Sequence, residues 1–143
     1  MGIRFVAAAV VIAAAIPTLA FGSASATKLA ATLSGGVEVP KGAPTGKGTA
    51  TVTISGSKVC WKFTYSGIDK PLASHIHKGG VGKAGPVVVP LGGTFQATGC
   101  TTAPSAAIAN AIGANPGAFY VNIHTKKYGA GAIRGQLSKA SAY

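Results

Sequence analysis

Between Lys28 and Leu137 the chain is cut into short β-like runs by glycine and proline. The 143 residues include 21 glycines and 8 prolines, and they carry almost none of the charge patterning that supports helices. Short runs rich in Val, Ile, Thr and aromatic residues, bounded by turn residues, read as strands. They fall near Lys28–Leu33, Gly48–Ile54, Lys58–Tyr65, Leu72–His77, Pro86–Leu91, Thr94–Thr98, Ala118–Thr125 and Ala132–Leu137. The "SGSK" of residues 55–58 suits a tight hairpin turn, with glycine available for positive φ. "VPKGAPTGKG", residues 39–48, reads as a loop. One stretch, "APSAAIANAIGANPG" at residues 103–117, breaks the rhythm and predicts a short helix. Pro104 suits its first turn, Ile108 and Ile112 sit four apart, and Gly113 offers a stop. The last residues, 139–143, are expected to fray. About eight short antiparallel strands with one short helix predict an all-β Greek-key β-sandwich or flattened barrel.

The first 26 residues stand apart from this pattern. Arg4 precedes the continuous apolar run "VAAAVVIAAAIPTLA", and Ala24-Ser25-Ala26 supplies small residues in a small-x-small arrangement. This is the pattern of a secretory signal peptide, with cleavage expected after Ala26. The run is short for a spanning helix, which needs roughly 20 residues. The expectation is therefore a secreted or extracytoplasmic protein with no transmembrane segment in the mature chain. Residues 27–138 form the predicted β-sandwich domain, large enough for a core of its own.

Charge and cysteines narrow the function classes. The whole chain has 13 Lys and Arg against 2 Asp and Glu, a formal net charge of +11. Glu38 and Asp69 are the two acids, and both sit among loop residues, which suggests turn or surface groups. Lysine is a hydrated point charge, poorly suited to bidentate phosphate recognition. No stretch interleaves basic and aromatic residues as a stacking platform would, so specific nucleic-acid binding is not expected. The lysines are scattered along the chain, which fits a solvated surface. The functional alternative is contact with an anionic cell-envelope polymer. Cys60 and Cys100 are the only cysteines, and an exported domain with one possible pairing is expected to oxidise them to a disulfide.

The three histidines carry the most specific chemistry. Residues two apart on a strand share a face. In "LASHIHK" this puts His75 and His77 on one face with Ala73, and Leu72, Ser74 and Ile76 on the other. In "AFYVNIHT" His124 shares a face with Tyr120 and Asn122, while Phe119, Val121 and Ile123 point into the core. Two imidazoles so placed can converge on one ion. A third from a neighbouring strand completes a site suited to copper or zinc. Tyr120 and Asn122 are the candidates to support it. The competing reading is three histidines that only pack and hydrogen-bond, because His-x-His is a short motif with many false matches.

The ordered segments "LSGGVEVP" (33–40), "GTATVTI" (48–54), "SHIHKGGVGKAGPVVVPL" (74–91), "YVNIHT" (120–125) and "AIRGQL" (132–137) resemble the CHRD domain family. The resemblance runs from about Ala30 to Leu137. It implies a β-sandwich, extracytoplasmic module and stops short of an activity; the growth-factor binding of chordin is not carried over. The family's histidines match at His75, His77 and His124, and its I-R-G motif supplies Arg134. Family members often carry an acid directly before that isoleucine, where this chain has Ala132, so Arg134 must do without it. A weaker resemblance is to copper,zinc superoxide dismutases, which place an H-x-H strand and a later strand histidine on copper. They also need a bridging histidine and a zinc subsite completed by an aspartate. This chain has no fourth histidine, and Asp69 is its only aspartate.

Several reaction classes lack their residues. There is no G-x-S-x-G, Walker loop, H-E-x-x-H or C-x-x-C. Two acids leave little room for a carboxylate pair of the glycosidase kind. The sequence therefore points to a non-enzymatic binding module, with an anionic polymer or an extracellular protein as partner, or to a copper- or zinc-binding protein built on His75, His77 and His124.

Overall fold

The computed structural model describes residues 25–141, together with Met1 and Gly2. Most of the expected export signal, residues 1–26, lies outside the described residues. Among those described, no helix is long and apolar enough to cross a membrane.

Among the described residues nine strands form one antiparallel sheet that curls into a nearly closed barrel. In chain order they are β1 (Thr27–Ser34), β2 (Lys47–Ser55), β3 (Lys58–Ser66), β4 (Pro71–Lys78), β5 (Val87–Pro90), β6 (Thr98–Thr102), β7 (Phe119–Thr125), β8 (Ile133–Gln136) and β9 (Ser138–Lys139). Across the sheet the order is β5-β4-β7-β8-β1-β2-β3-β6, with β9 against β1. β1, β2 and β3 follow one another as a meander, and the hairpin between β2 and β3 turns on Gly56 at φ +57°. That fits a two-residue turn with glycine at its first central position. Later connections jump across the sheet, as the all-β expectation required.

Strand alternation builds the core. Leu29, Leu33, Val52, Val59, Ile76, Val89, Val121, Ile123 and Ile133 are fully buried on the concave side. Trp61 joins them and spends its indole N–H on the Gln96 carbonyl at 2.8 Å. The helix α1 (Ala106–Ala114) closes one side, burying Ala109 and Ile112.

Three local expectations are corrected. Thr94–Thr98 is not a strand; the sixth strand is Thr98–Thr102. The segment before it must cross from β5 at one sheet edge to β6 at the other, so it bonds the strand inside each edge once rather than forming a ladder. Phe95 N–H donates to Leu72 O of β4 at 2.9 Å, and Ala97 O accepts from Phe63 N–H of β3 at 2.7 Å. Second, Pro104 precedes the helix: Ser105 is the N-cap, its hydroxyl accepting from Ile108 N–H at 3.2 Å. Gly113 lies inside the helix, and Asn115 caps the other end. Third, the tail does not fray at Lys139. β1 pairs with β8 at one position only, Ser34 with Arg134, so the rest of its edge is open to Ser138 and Lys139.

Cys60 and Cys100 stand directly opposite each other on β3 and β6 and are joined as a disulfide. It closes a loop of sequence separation 40, which the chain-entropy treatment values at roughly 4 kcal/mol. Replacing both cysteines by serine should lower unfolding stability by about 2–4 kcal/mol. Guanidinium unfolding reads this directly, and an unchanged midpoint would mean that the β3–β6 ladder alone holds the edge.

Candidate metal centre

The outward face of β4, β7 and β8 is polar, and register fixes its rows. His75 of β4 lies across from Asn122 of β7, which lies across from Arg134 of β8. His77, Tyr120 and Gln136 make the next row, and Ala73 faces His124. The sequence left open whether this face meets solvent or a cleft. It is largely covered: His77 is 7% exposed, Tyr120 3%, Arg134 2% and Asn122 1%.

The cover is the glycine-rich loop 79–86, drawn down by side chains from the face. Arg134 donates to Lys83 O at 2.9 Å and Gly80 O at 3.2 Å. Gln136 donates to Gly79 O at 2.6 Å, and His77 Nδ1 lies 2.8 Å from Gly85 O. Gly85 N–H donates to the Tyr120 hydroxyl at 3.2 Å. Tyr120 is stacked on His77, with ring centroids 4.7 Å apart and planes 7° apart, while the Arg134 guanidinium lies 3.7 Å from the Tyr120 centroid.

The three histidines meet at the open rim of this face. One ligand nitrogen from each lies within 4.8 Å of the others. His75 Nδ1 is 3.0 Å from His124 Nε2. Backbone carbonyls only accept, so Nδ1 of His77, facing Gly85 O, must carry its hydrogen. The same holds for Nδ1 of His124, 2.9 Å from Gly129 O. In the neutral rings Nε2 is then a bare lone pair on both. His77 Nε2 is buried with no hydrogen-bond partner in the protein. Asn122 Oδ1 lies 3.0 Å from His124 Nε2, and its Nδ2 has no partner, so the amide turned end for end would donate to that nitrogen.

These features fit a divalent ion. Imidazole–metal bonds of about 2.0–2.1 Å put tetrahedral ligand atoms roughly 3.3 Å apart, so small side-chain rotations close the observed triangle. A ligating histidine that gives its other N–H to a carbonyl is held in the right tautomer, as His77 and His124 are. Burial also disfavours protonation of His75 and His77. Burial pushes His75 down to about 4, helped by His124 and His77. Burial lowers His77 as well, against the Gly85 hydrogen bond.

One residue of this region differs from the sequence reading. Glu38, taken there for a turn or surface group, is 4% exposed, with Oε1 unpartnered. Burial raises its carboxyl to about 7, against the pull of Arg134, the Val39 amide and Asn122. Gly131, at φ +145°, packs on that carboxylate, and a Cβ there would run into it. Glu38 stood in the "VEVP" stretch as one of only two acids, a signal that was visible but pointed to no particular place. Asp69 is exposed in the loop between β3 and β4 and does not join the histidines. Ala132 is buried and bonds through its backbone to Ile123 and Ala43, so Arg134 has carbonyls and an aromatic face where an acid was expected. Cys60 and Cys100 are on the opposite side of the sheet order, away from this face.

The sequence model of the CHRD domain matches residues 29–137, which takes in every residue of this centre. The chain belongs to the CHRD domain family. No curated protein and no solved structure matches it. For this CHRD domain the family match therefore covers both the barrel and the loop 79–86 that roofs the histidines.

Stability of the metal-free CHRD domain should depend on pH in two opposing ways. Below about 6.5 the unfolded chain takes up protons on His75 and His77 that the folded chain refuses, so stability falls from pH 6.5 toward 4. Glu38 works the other way: the folded chain holds a proton between pH 4.5 and about 7 that the unfolded chain releases, so this contribution is lost as pH rises. Unfolding at a series of pH values, in chelator, should show Glu38→Gln gaining on the native protein from pH 4.5 to 7. A constant offset would show that Glu38 ionises normally.

Proposed function

We propose that this CHRD domain is an exported metal-binding module that takes one copper or zinc ion through His75 Nδ1, His77 Nε2 and His124 Nε2. The observation that carries the reading is the buried, unpartnered Nε2 of His77 beside two other converging imidazole nitrogens. A buried polar atom without a partner costs about 1–3 kcal/mol, and an ion removes that cost. Export is supported by the residue pattern before Ala26 and by the Cys60–Cys100 disulfide. Arg134, Tyr120 and Asn122 act on the ring positions: Tyr120 flanks His77, Asn122 borders His124, and Arg134 holds the roof loop. Copper has the higher intrinsic affinity for imidazole sites.

The module binds rather than turns over. A dismutase of the copper,zinc kind needs a second ion site beside the first, and the only three-residue ligand group among the described residues is the histidine triangle itself.

Calorimetric titration of copper and of zinc into the chelator-stripped chain from Thr27 tests the reading. One ion should bind per chain. His75→Ala/His77→Ala should weaken binding at least 100-fold. Absence of saturable binding would return the histidines to the architecture.

A further inference from the structure

The convex face on β1, β2, β3 and β6 has a composition that the metal reading does not use. Its outward residues are Lys28, Ala30 and Thr32 on β1, and Lys47, Thr49, Thr51 and Thr53 on β2. Lys58, Lys62 and Thr64 follow on β3, and Thr98 and Thr102 on β6. Register places Lys28, Lys47, Lys58 and Lys62, which look scattered in sequence, together on this face. Lys62 lies across from Thr51, Lys47 across from Ser66, and Lys28 across from Thr53. A strand rises about 3.4 Å per residue, so Lys47, Lys62 and Lys58 follow a line with steps of roughly 14 Å.

Two further features mark the face. No acid is on it: Glu38 is buried, and Asp69 lies in the loop after β3. Three surface depressions also run together along it. The largest, about 540 Å³, opens between Val37 and Val81 and shares Thr49 with a second depression and Thr51 with a third. Lys47 borders the second depression and Lys62 the third, while alanines, threonines and valines line most of the first; the Thr49 and Thr64 hydroxyls share a hydrogen bond at 2.7 Å.

We propose that this face docks a linear acidic polysaccharide, with Lys28, Lys47, Lys58 and Lys62 meeting its carboxylates and the threonine rows meeting its hydroxyls. Charge complementarity selects the partner's sign, since like charges left unopposed on one face repel until an anion covers them. The hydroxyl rows select a chain that carries hydroxyls as well as charge. Lysine ammonium groups suit scattered single charges better than the bidentate geometry that arginine serves.

The test uses the chain from Thr27, where the described elements begin, in chelator so that no bridging metal contributes. Alginate, a linear polyuronate, is the probe, with inorganic polyphosphate and dextran beside it. Alginate should bind and dextran should not, and binding should weaken at least about tenfold as added salt shortens the screening length. The variant K28Q/K47Q/K58Q/K62Q should lose at least tenfold in affinity. K70Q/K83Q/K126Q/K127Q, with the same net charge, should lose less than threefold. Equal losses in the two variants would overturn the proposal in favour of diffuse charge. Polyphosphate binding as tightly as alginate would overturn it too. His75→Ala/His77→Ala should leave alginate binding unchanged, which separates this face from the metal centre.

Discussion

Arg134 donates to the carbonyls of Lys83 and Gly80 from a position 2% exposed, with its guanidinium over the ring of Tyr120. A buried guanidinium demands acceptors, and here they are backbone oxygens of one loop rather than a carboxylate. That demand ties the roof to the sheet. With the loop drawn down, Gly85 O reaches His77 and fixes its tautomer, while Tyr120 packs between the arginine and the histidine. The direction of the His77 lone pair therefore follows from where one cation finds its hydrogen bonds, two strands away.

The barrel was legible because strand alternation is a physical filter. In β7 the order Phe-Tyr-Val-Asn-Ile-His separates a core side from a polar side by parity alone, and Val121 and Ile123 are indeed fully buried. The same parity put His75 with His77, and His124 with Asn122, because side-chain direction on a strand is local. What parity cannot carry is what lies above the polar side. Tyr120 is covered by a loop that joins β4 to β5, and nothing in the local pattern of β7 encodes that cover. Glu38 escaped for the same reason: a lone acid between valines gives no hint that the chain folds it under Gly131. Thr94–Thr98 misled differently. Its composition suits a strand, but its ends are tied to opposite sheet edges, and connectivity overrode propensity.

The metal centre and the lysine face sit on different parts of one curled sheet, and β8 and β1 join them. Arg134 illustrates the join, since it pairs in register with Ser34 while also lining the largest depression. The charge distribution separates the two surfaces chemically. Neutral imidazoles with bare nitrogens suit a cation, and ammonium groups without nearby acids suit an anion.

The crossing segment between β5 and β6 has a further consequence for the behaviour of the protein among its own copies. An incompletely closed barrel has two strand edges, each a template for pairing with another chain. Here one stretch of backbone bonds the strand next to each edge where β5 and β6 stop short, through Phe95 at β4 and Ala97 at β3, and Pro90 removes a donor from β5. The strap that spoiled a strand in the sequence reading thus occupies backbone groups of β4 and β3 that β5 and β6 are too short to reach.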